Sequence, residues 1–294
     1  MISQQWTCAF LSTENVRPDI VDDHHAIEPL TKLGVAIETH PWRAENIDWA
    51  RFDLVIVRST WDYHEHVDEF FAALEQIEAC GARLANPREV MHWNRQKTYL
   101  ADLERRGVPI VETVFGEHLN PEKLDELVTR FATQEWIVKP QISASAHGVF
   151  RLSGAPTSTQ RQQILETFAR QGFLAQPFVE DVVASGEYSL FYFDGAYSHC
   201  ILKTPCAGDF RVQEEYGSDI RAVTPEPSLV ATAEQVRAQL PAENLYERID
   251  LVRDANGRYA VMEVELIEPS LYLRTHPAAG TQLAEAIVRW LKRD

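Results

Sequence analysis

Two lysines and an acidic trio are the residues whose types and placement point to chemistry. Lys139 ends an apolar run, WIVKP, and Lys97 stands in KTYLADLERRGVPIVET at an expected helix start. A lysine closing a buried strand keeps its stem in the core and its ammonium at the carboxyl edge of the sheet, where open α/β sheets bind anions. A snorkelling side chain is the plainer reading of each. The loop QISASAHG follows Lys139. Its Ser143, Ser145 and Gly148 belong to a small-residue stretch that lets backbone N–H groups approach a phosphate, although it is lean in glycine for a cradle. Asp250 falls on one expected strand, and Glu263 and Glu265 on the next. Alternation puts the two glutamates on one face, and pairing across the turn at Asn256–Gly257 brings Asp250 alongside. Three carboxylates on one face repel unless a cation sits between them. Mg²⁺ suits such oxygens and completes its shell with phosphate oxygens. The alternative is a solvated polar face, against which the apolar run around Val261–Ile267 argues.

Two further cations stand near a long polar stretch. Arg211, in GDFRVQEEYGS, is suited by its planar fork to a phosphate or a substrate carboxylate; a surface ion pair with Glu214 or Glu215 is the alternative. Lys203 ends a strand and fits either role. Near the front, Arg58-Ser59-Thr60-Trp61-Asp62-Tyr63 follows the most apolar early strand, at the edge where ligands collect, and its polar and aromatic mix suits a small zwitterion. The competing reading is a helix N-cap at Ser59 or Thr60 with packed aromatics. His24–His25 and His64/His66 are spaced poorly for shared metal ligation and read as surface histidines.

These residues need elements to hold them. Strands are expected at Thr7–Leu11, Val35–Thr39, Phe52–Arg58 and Arg83–Ala85. They alternate with helices at about Asp23–Leu33 and over the periodic Val67, Phe70, Phe71, Leu74 and Ile77. This βαβ pattern predicts a small parallel sheet. A helix is expected over Arg95–Arg106, a strand at Ile110–Val114, and a helix after the Asn120–Pro121 cap. Strands at Trp136–Lys139 and Val149–Leu152, a helix at Arg161–Arg170 and a strand at Phe173–Phe178 complete the middle. From Gly186 the pattern changes. Tyr188–Phe193 and Tyr197–Lys203 flank Asp194–Gly195, a hairpin signal. Thr204–Glu226 reads as a long functional loop, followed by a helix at Thr232–Leu240, strands at Tyr246–Val252 and Tyr259–Leu266, and a final helix at about Gln282–Lys292.

The chain has 294 residues, 45% hydrophobic and 24% charged, with a formal net charge of −16. Such a chain builds a sizeable core and repels polyanions, so nucleic acid and anionic membrane surfaces are poor partners. The four cysteines lack CxxC spacing and read as reduced thiols. Residues 1–10 have neither a basic n-region nor a long apolar run, and no stretch reaches the length of a membrane span, so a cytoplasmic protein is expected.

In order along the chain, these features resemble the ATP-grasp superfamily over nearly the whole sequence. The resemblance implies an α/β (α+β) ATP-grasp fold: a pre-ATP-grasp βαβ domain at 1–93, an N-lobe at 94–180 and a C-lobe bearing the metal site at 181–294, with ATP between the lobes. Lys97 and Lys139 look like the two nucleotide lysines. AQPFVE is similar to the hinge strand, which implies adenine recognition around Gln176, Pro177, Phe178 and Val179 and ribose binding by Glu180. GEYSLFYFDGAYSHCILK resembles the first C-lobe hairpin, with Glu187 and Lys203 facing ATP, and Arg211 resembles the substrate or phosphate arginine. Asp250, Glu263 and Glu265 map onto the Mg²⁺ ligands. Relatives usually carry Asn in place of Glu265, so this site is more anionic.

Within the superfamily, VRSTWDYHEHVDEF, Asp22–Asp23, NPREVMHWNRQKTYL and MEVELIEPSLYL look like the cyclo-ligase group that closes D-cycloserine from O-ureido-D-serine. That match implies an amino-acid-like substrate near Arg58, Ser59, Thr60, Asp62 and Ser270. The expected function is ATP-dependent amide formation through an acyl phosphate, releasing ADP and phosphate, with an intramolecular closure and a homodimer both left open. The rivals are a small-molecule kinase on the same scaffold and a non-catalytic nucleotide sensor. The full set of Lys97, Lys139, Asp250, Glu263 and Glu265 argues against the sensor.

Overall fold

Three sheets divide the strand-forming segments in chain order. The computed structural model describes residues 6–17, 20–143 and 147–293. The first sheet is parallel, in the order β2 (Val35–Pro41), β1 (Trp6–Ser12), β3 (Leu54–Ser59), β4 (Leu84–Ala85). Its crossover helices are α1 (His24–Lys32) and α2 (Val67–Ala79), as the βαβ pattern predicts. β3 is buried along its whole length because helices cover both faces.

The helix expected over Arg95–Arg106 begins four residues late, as α4 (Tyr99–Arg105), and an unexpected helix, α3 (Arg88–Asn94), precedes it across a break. The break serves β13 (Tyr259–Glu265), the last strand of the third sheet. Asn94 donates its Nδ2 to the Val264 carbonyl at 2.8 Å and accepts the Leu266 N–H at 2.9 Å, and the Tyr99 hydroxyl accepts the Val264 N–H at 2.8 Å. Edge-strand groups that would otherwise stand unpaired are thereby satisfied. The strand expected at Ile110–Val114 is absent for the same reason. Ile110 forms an isolated bridge to Val261, and Val111 donates to the Val261 carbonyl, so this segment extends β13.

The second sheet, antiparallel, runs β5 (Val114–Gly116), β8 (Phe173–Pro177), β6 (Glu135–Pro140), β7 (Phe150–Ser153). It packs on α5 (Pro121–Arg130), which Asn120 caps through the Lys123 N–H, and on α6 (Ser158–Phe168), which opens with a capping box between Thr157 and Gln160. A short helix, α7 (Asp181–Ala184), leads into the third sheet.

That sheet is antiparallel: β11 (Asp219–Ala222), β10 (Ala196–Thr204), β9 (Glu187–Phe193), β12 (Tyr246–Arg253), β13. Asp194 (φ 50°) and Gly195 (φ 80°) make the tight turn joining β9 to β10. Part of the stretch expected to be a loop, Thr204–Glu226, is the edge strand β11, and α8 (Pro227–Arg237) starts earlier than expected, with Pro227 in its first turn.

The cores cross unit boundaries. α4 packs Tyr99, Leu100 and Leu103 against Leu190, Ile249 and Val264 of the third sheet. α9 (Ala279–Leu291) packs Leu283, Ile287 and Trp290 with Phe10 and Ile56 of the first sheet and Phe191 and Tyr246 of the third. Buried Tyr246 donates its hydroxyl toward the carbonyls of Val57 (2.6 Å) and Ile267 (2.8 Å), joining the two sheets. No helix among the described residues is long and apolar enough to cross a membrane.

Candidate active site

A cavity of about 380 Å³ lies where the three units meet. One end is an apolar slot walled by Ile137, Phe178, Val179, Val182, Met262 and Val264; the other carries Trp61, Tyr63, Glu268, Ser270 and Tyr272; Lys97, Lys139, Lys203, Arg211 and Arg248 stand along it with Glu187, Asp250, Glu263 and Glu265. Met262 reaches the wall because the β12–β13 register shifts after Asp250, giving β13 one extra residue.

The two lysines are held differently. Lys97, in the break between α3 and α4, donates to the Ser143 carbonyl at 2.8 Å and pairs with Glu263 at 3.0 Å. Lys139, at the end of β6, is 7% exposed and makes no ion pair or side-chain hydrogen bond among the described residues. Burial brings its ammonium down from 10.5 to about 8, opposed by the nearby Glu263 carboxylate. A buried lysine without an anion, facing a cavity, is arranged to receive one.

The acidic trio is neutralised by the protein's own cations, and this corrects the expectation of a ready three-carboxylate Mg²⁺ nest. Asp250 faces Glu263 across the register and Arg248 faces Glu265. Arg248 bridges Asp250 (3.0 Å) and Glu265. Lys203 sits between Glu187 (2.5 Å) and Asp250 (3.2 Å), all three nearly sealed from solvent. Burial works against the Lys203 ammonium, but Asp250 and Glu187 outweigh it and hold it above its ordinary value. Burial also opposes ionisation of Asp250, but Arg248 and Lys203 overcome it and keep that carboxyl below the usual range. At Glu265, burial and the neighbouring Glu263 and Asp250 carboxylates prevail over Arg248 and push the carboxyl up. Among the described residues no three acidic, histidine or cysteine side chains converge as a metal nest. The donor types still suit a hard cation. Glu263 and Glu265, with side chains 28% and 26% exposed toward the cavity, are the open pair, whereas Asp250, at 3%, is engaged behind them.

Arg211 lines the cavity from the segment between β10 and β11. Its guanidinium holds Asp209 at 2.6 Å and lies 3.6 Å over the Tyr216 ring, so the alternative reading, an ion pair with Glu214 or Glu215, gives way to a pair with Asp209. Glu214 instead pairs with Arg274 at 2.5 Å, and Arg274 also reaches Asp22 at 3.3 Å, which ties this segment to the first unit.

Of the hinge residues, Gln176, Pro177, Phe178 and Val179 line the cavity as expected; Glu180 is exposed at the start of α7 and does not. Ser143 lines it. Gly148 lies in the adjoining turn off the wall, with φ +71°, and Ser145 lies outside the described residues. Of the residues expected at the substrate, only Ser270 is on the wall. Arg58 is buried against Asp23 (2.9 Å) and the Pro269 carbonyl; Ser59 ends β3; Thr60 is fully buried; Asp62 accepts from Trp42 and Arg43. These four brace the wall from behind, and the helix cap expected at Ser59 or Thr60 does not form, because the next α-helix starts at Val67. Their neighbours Trp61 and Tyr63 face the cavity.

Sequence reasoning passed over Arg248 and Glu268. Arg248 was legible, since it lies two residues before Asp250 and so on the same strand face. Glu268 follows β13, where no alternation predicts its direction. It lines the cavity, and its carbonyl accepts the Trp61 indole N–H at 3.0 Å.

Residues 8–86 match the family model of the N-terminal domain of D-cycloserine synthetase DcsG. Over 281 residues the chain is 32% identical to the cycloserine biosynthesis protein DcsG of Streptomyces lavendulae, an alignment covering 90% of this chain and 92% of that protein. Its structure is similar to the crystal structure of D-cycloserine synthetase DcsG (TM-score 0.88, 29% identity, 97% of this chain and 100% of that one). It shares its fold with D-alanine–D-alanine ligase of Bacillus anthracis (TM-score 0.72, 16% identity, 98% and 97% covered). Matched to that extent in sequence over 90% of its length and in architecture over 97%, the chain belongs to the DcsG family of ATP-grasp ligases.

Proposed function

We propose that the chain closes an amide within a small D-amino-acid derivative of the O-ureido-D-serine type, activating its carboxylate with Mg-ATP and releasing ADP and phosphate. The observation that carries this reading is one cavity with two unlike ends. An apolar slot adjoins the unpaired ammonium of Lys139, and a small polar-aromatic end around Trp61, Tyr63, Glu268 and Ser270 lies beyond the carboxylates. In this reading Gln176–Val179 present backbone groups to the base, and Lys139 and Lys97 hold phosphate oxygens. Glu263 and Glu265 would hold Mg²⁺, which when bound neutralises phosphate charge and aligns it for transfer.

The substrate carboxylate attacks the terminal phosphorus in line, so the protein's contribution is positioning and charge compensation. Arg248, held by Asp250 and Glu265, lines the cavity with its guanidinium fixed by those two carboxylates. It is placed to stabilise the transferring phosphoryl group and then the oxyanion formed when the second nitrogen attacks the acyl phosphate. Arg211 and its segment cover the cavity and keep water from the acyl phosphate.

The test is product analysis. The protein is incubated with Mg-ATP and pools of D- and L-amino acids, including aminooxy and ureido derivatives, with ADP and free phosphate assayed and products weighed. ADP and phosphate released with a cyclic amide from one D-configured pool are expected. A phosphorylated product would instead make the protein a kinase, and AMP with pyrophosphate would end the acyl-phosphate reading.

A further inference from the structure

Among the described residues Glu268, unlike the four other carboxylates grouped around Lys97, Lys203 and Arg248, has no cation in ion-pair contact, although Lys97 and Arg248 lie near enough to act on it through space. Glu187 and Asp250 share Lys203, Asp250 and Glu265 share Arg248, and Glu263 takes Lys97. Among the described residues the Glu268 side chain makes neither an ion pair nor a hydrogen bond. It is also held in place. The backbone on either side of its side chain is fixed by four donors from three elements: the Tyr246 hydroxyl at the Ile267 carbonyl (2.8 Å), Trp61 at the Glu268 carbonyl (3.0 Å), Arg58 at the Pro269 carbonyl (3.4 Å) and Arg248 at the Ser270 carbonyl (3.3 Å). A segment so held fixes the root of the Glu268 side chain on the cavity wall.

The surroundings supply what an organic cation needs and what a metal does not. Trp61, Tyr63 and Tyr272 line the same end of the cavity, so aromatic surface borders the carboxyl. Burial, reinforced by the Glu265 carboxylate, raises the Glu268 carboxyl well above its ordinary value, the condition of a group that gains by receiving a positive partner. Glu268 itself is no part of a metal nest, since among the described residues no three acidic, histidine or cysteine side chains converge.

We propose that Glu268 is the specificity residue that receives the α-ammonium of the substrate, fixing a zwitterion with its carboxylate toward Arg248 and its amino group toward the Trp61 end. This rests on the function proposed above and names the group that makes an amino acid, rather than a simple carboxylic acid, the substrate. A carboxylate rooted at a fixed place on the wall also selects configuration, because exchanging the hydrogen and ammonium on the α-carbon would take the charge away from Glu268.

Initial rates with O-ureido-D-serine and Mg-ATP test the proposal, alongside inhibition by the analogue carrying hydroxyl in place of the α-amino group. Glu268→Gln is expected to raise KM for the amino substrate by roughly 30- to 4,000-fold, the range for stripping one partner from a desolvated charge pair. KM for ATP should stay within about threefold, as should the hydroxy analogue's inhibition constant. Glu268→Asp, which keeps the charge, should recover part of the loss and serves if the glutamine variant folds poorly. An unchanged KM, or equal weakening of amino and hydroxy ligands, would overturn the proposal while leaving the ligase reading intact. Wild-type protein that releases no ADP with any amino acid would remove both together.

Discussion

Replacing Lys139 by methionine should make the protein more stable while depriving it of its nucleotide. Lys139 is 7% exposed, has no counter-ion among the described residues, and titrates near 8 rather than 10.5. Below that lowered value the folded protein carries an ammonium that the unfolded chain hydrates freely. At about 1.4 kcal/mol per pH unit the difference amounts to about 3 kcal/mol held against the fold at pH 7. Methionine keeps most of the stem's packing and removes the charge. The sign of the pH dependence follows. Between about 8 and 10.5 the unfolded chain binds a proton that the native state does not, so wild-type stability rises with pH there relative to the variant. Urea unfolding of both proteins from pH 7 to 10 should show Lys139→Met ahead by up to about 3 kcal/mol at pH 7, with the gap closing toward pH 10. Calorimetry should show ATP affinity lost in the variant and weakening in the wild type above pH 8, where the ammonium is no longer charged. A variant less stable than wild type at pH 7, or a gap independent of pH, would refute the reasoning, because either result means the ammonium is compensated in the nucleotide-free protein.

Other outcomes follow from the same structure. Lys203→Met leaves Glu187 and Asp250 buried without their shared cation and should cost roughly 3–5 kcal/mol in urea unfolding, with part of the loss returned by adding Glu187→Gln. Tyr246→Phe strips a buried donor from the carbonyls of Val57 and Ile267 and should cost about 1–3 kcal/mol in the same assay. Arg211→Ala should lower turnover by roughly 10²- to 10³-fold with ATP affinity within about threefold; wild-type turnover in that variant would remove Arg211 from the reaction.

Periodicity carried the first unit well, because a parallel sheet covered on both faces writes near-continuous apolar strands such as Leu54–Ser59. It carried the β9–β10 and β12–β13 hairpins for a different reason, since Asp194–Gly195 and Asn256–Gly257 announce the turns that fix their register. It failed at residues 88–116. There the backbone serves a neighbouring strand, with Asn94 and Tyr99 capping the β13 edge and Val111 extending it, and no local pattern encodes a partner some 165 residues away.

The site divides in the same way. Lys139, Lys203 and the acidic trio were legible because strand ends and alternation aim them at one cavity, and Lys97 because it stands ahead of a helix. The cavity-facing residues after β3 lie one position away from those expected. In a bend, facing does not follow from spacing, so Trp61 and Tyr63 face inward while Arg58, Ser59, Thr60 and Asp62 brace from behind. Charge balance was the other gap. Repulsion among Asp250, Glu263 and Glu265 was correctly foreseen, but its relief by Arg248, Lys203 and Lys97 depends on three side chains that converge only in the fold.

The measurement that tests the central claim most directly is oxygen transfer from substrate to phosphate. O-ureido-D-serine labelled with ¹⁸O in its carboxylate is turned over with Mg-ATP, and the released phosphate is analysed by mass. An acyl phosphate formed in the cavity leaves one labelled oxygen in each inorganic phosphate, with none in AMP. Label appearing in AMP, or turnover that leaves the phosphate unlabelled, would contradict carboxylate activation by phosphoryl transfer in this protein.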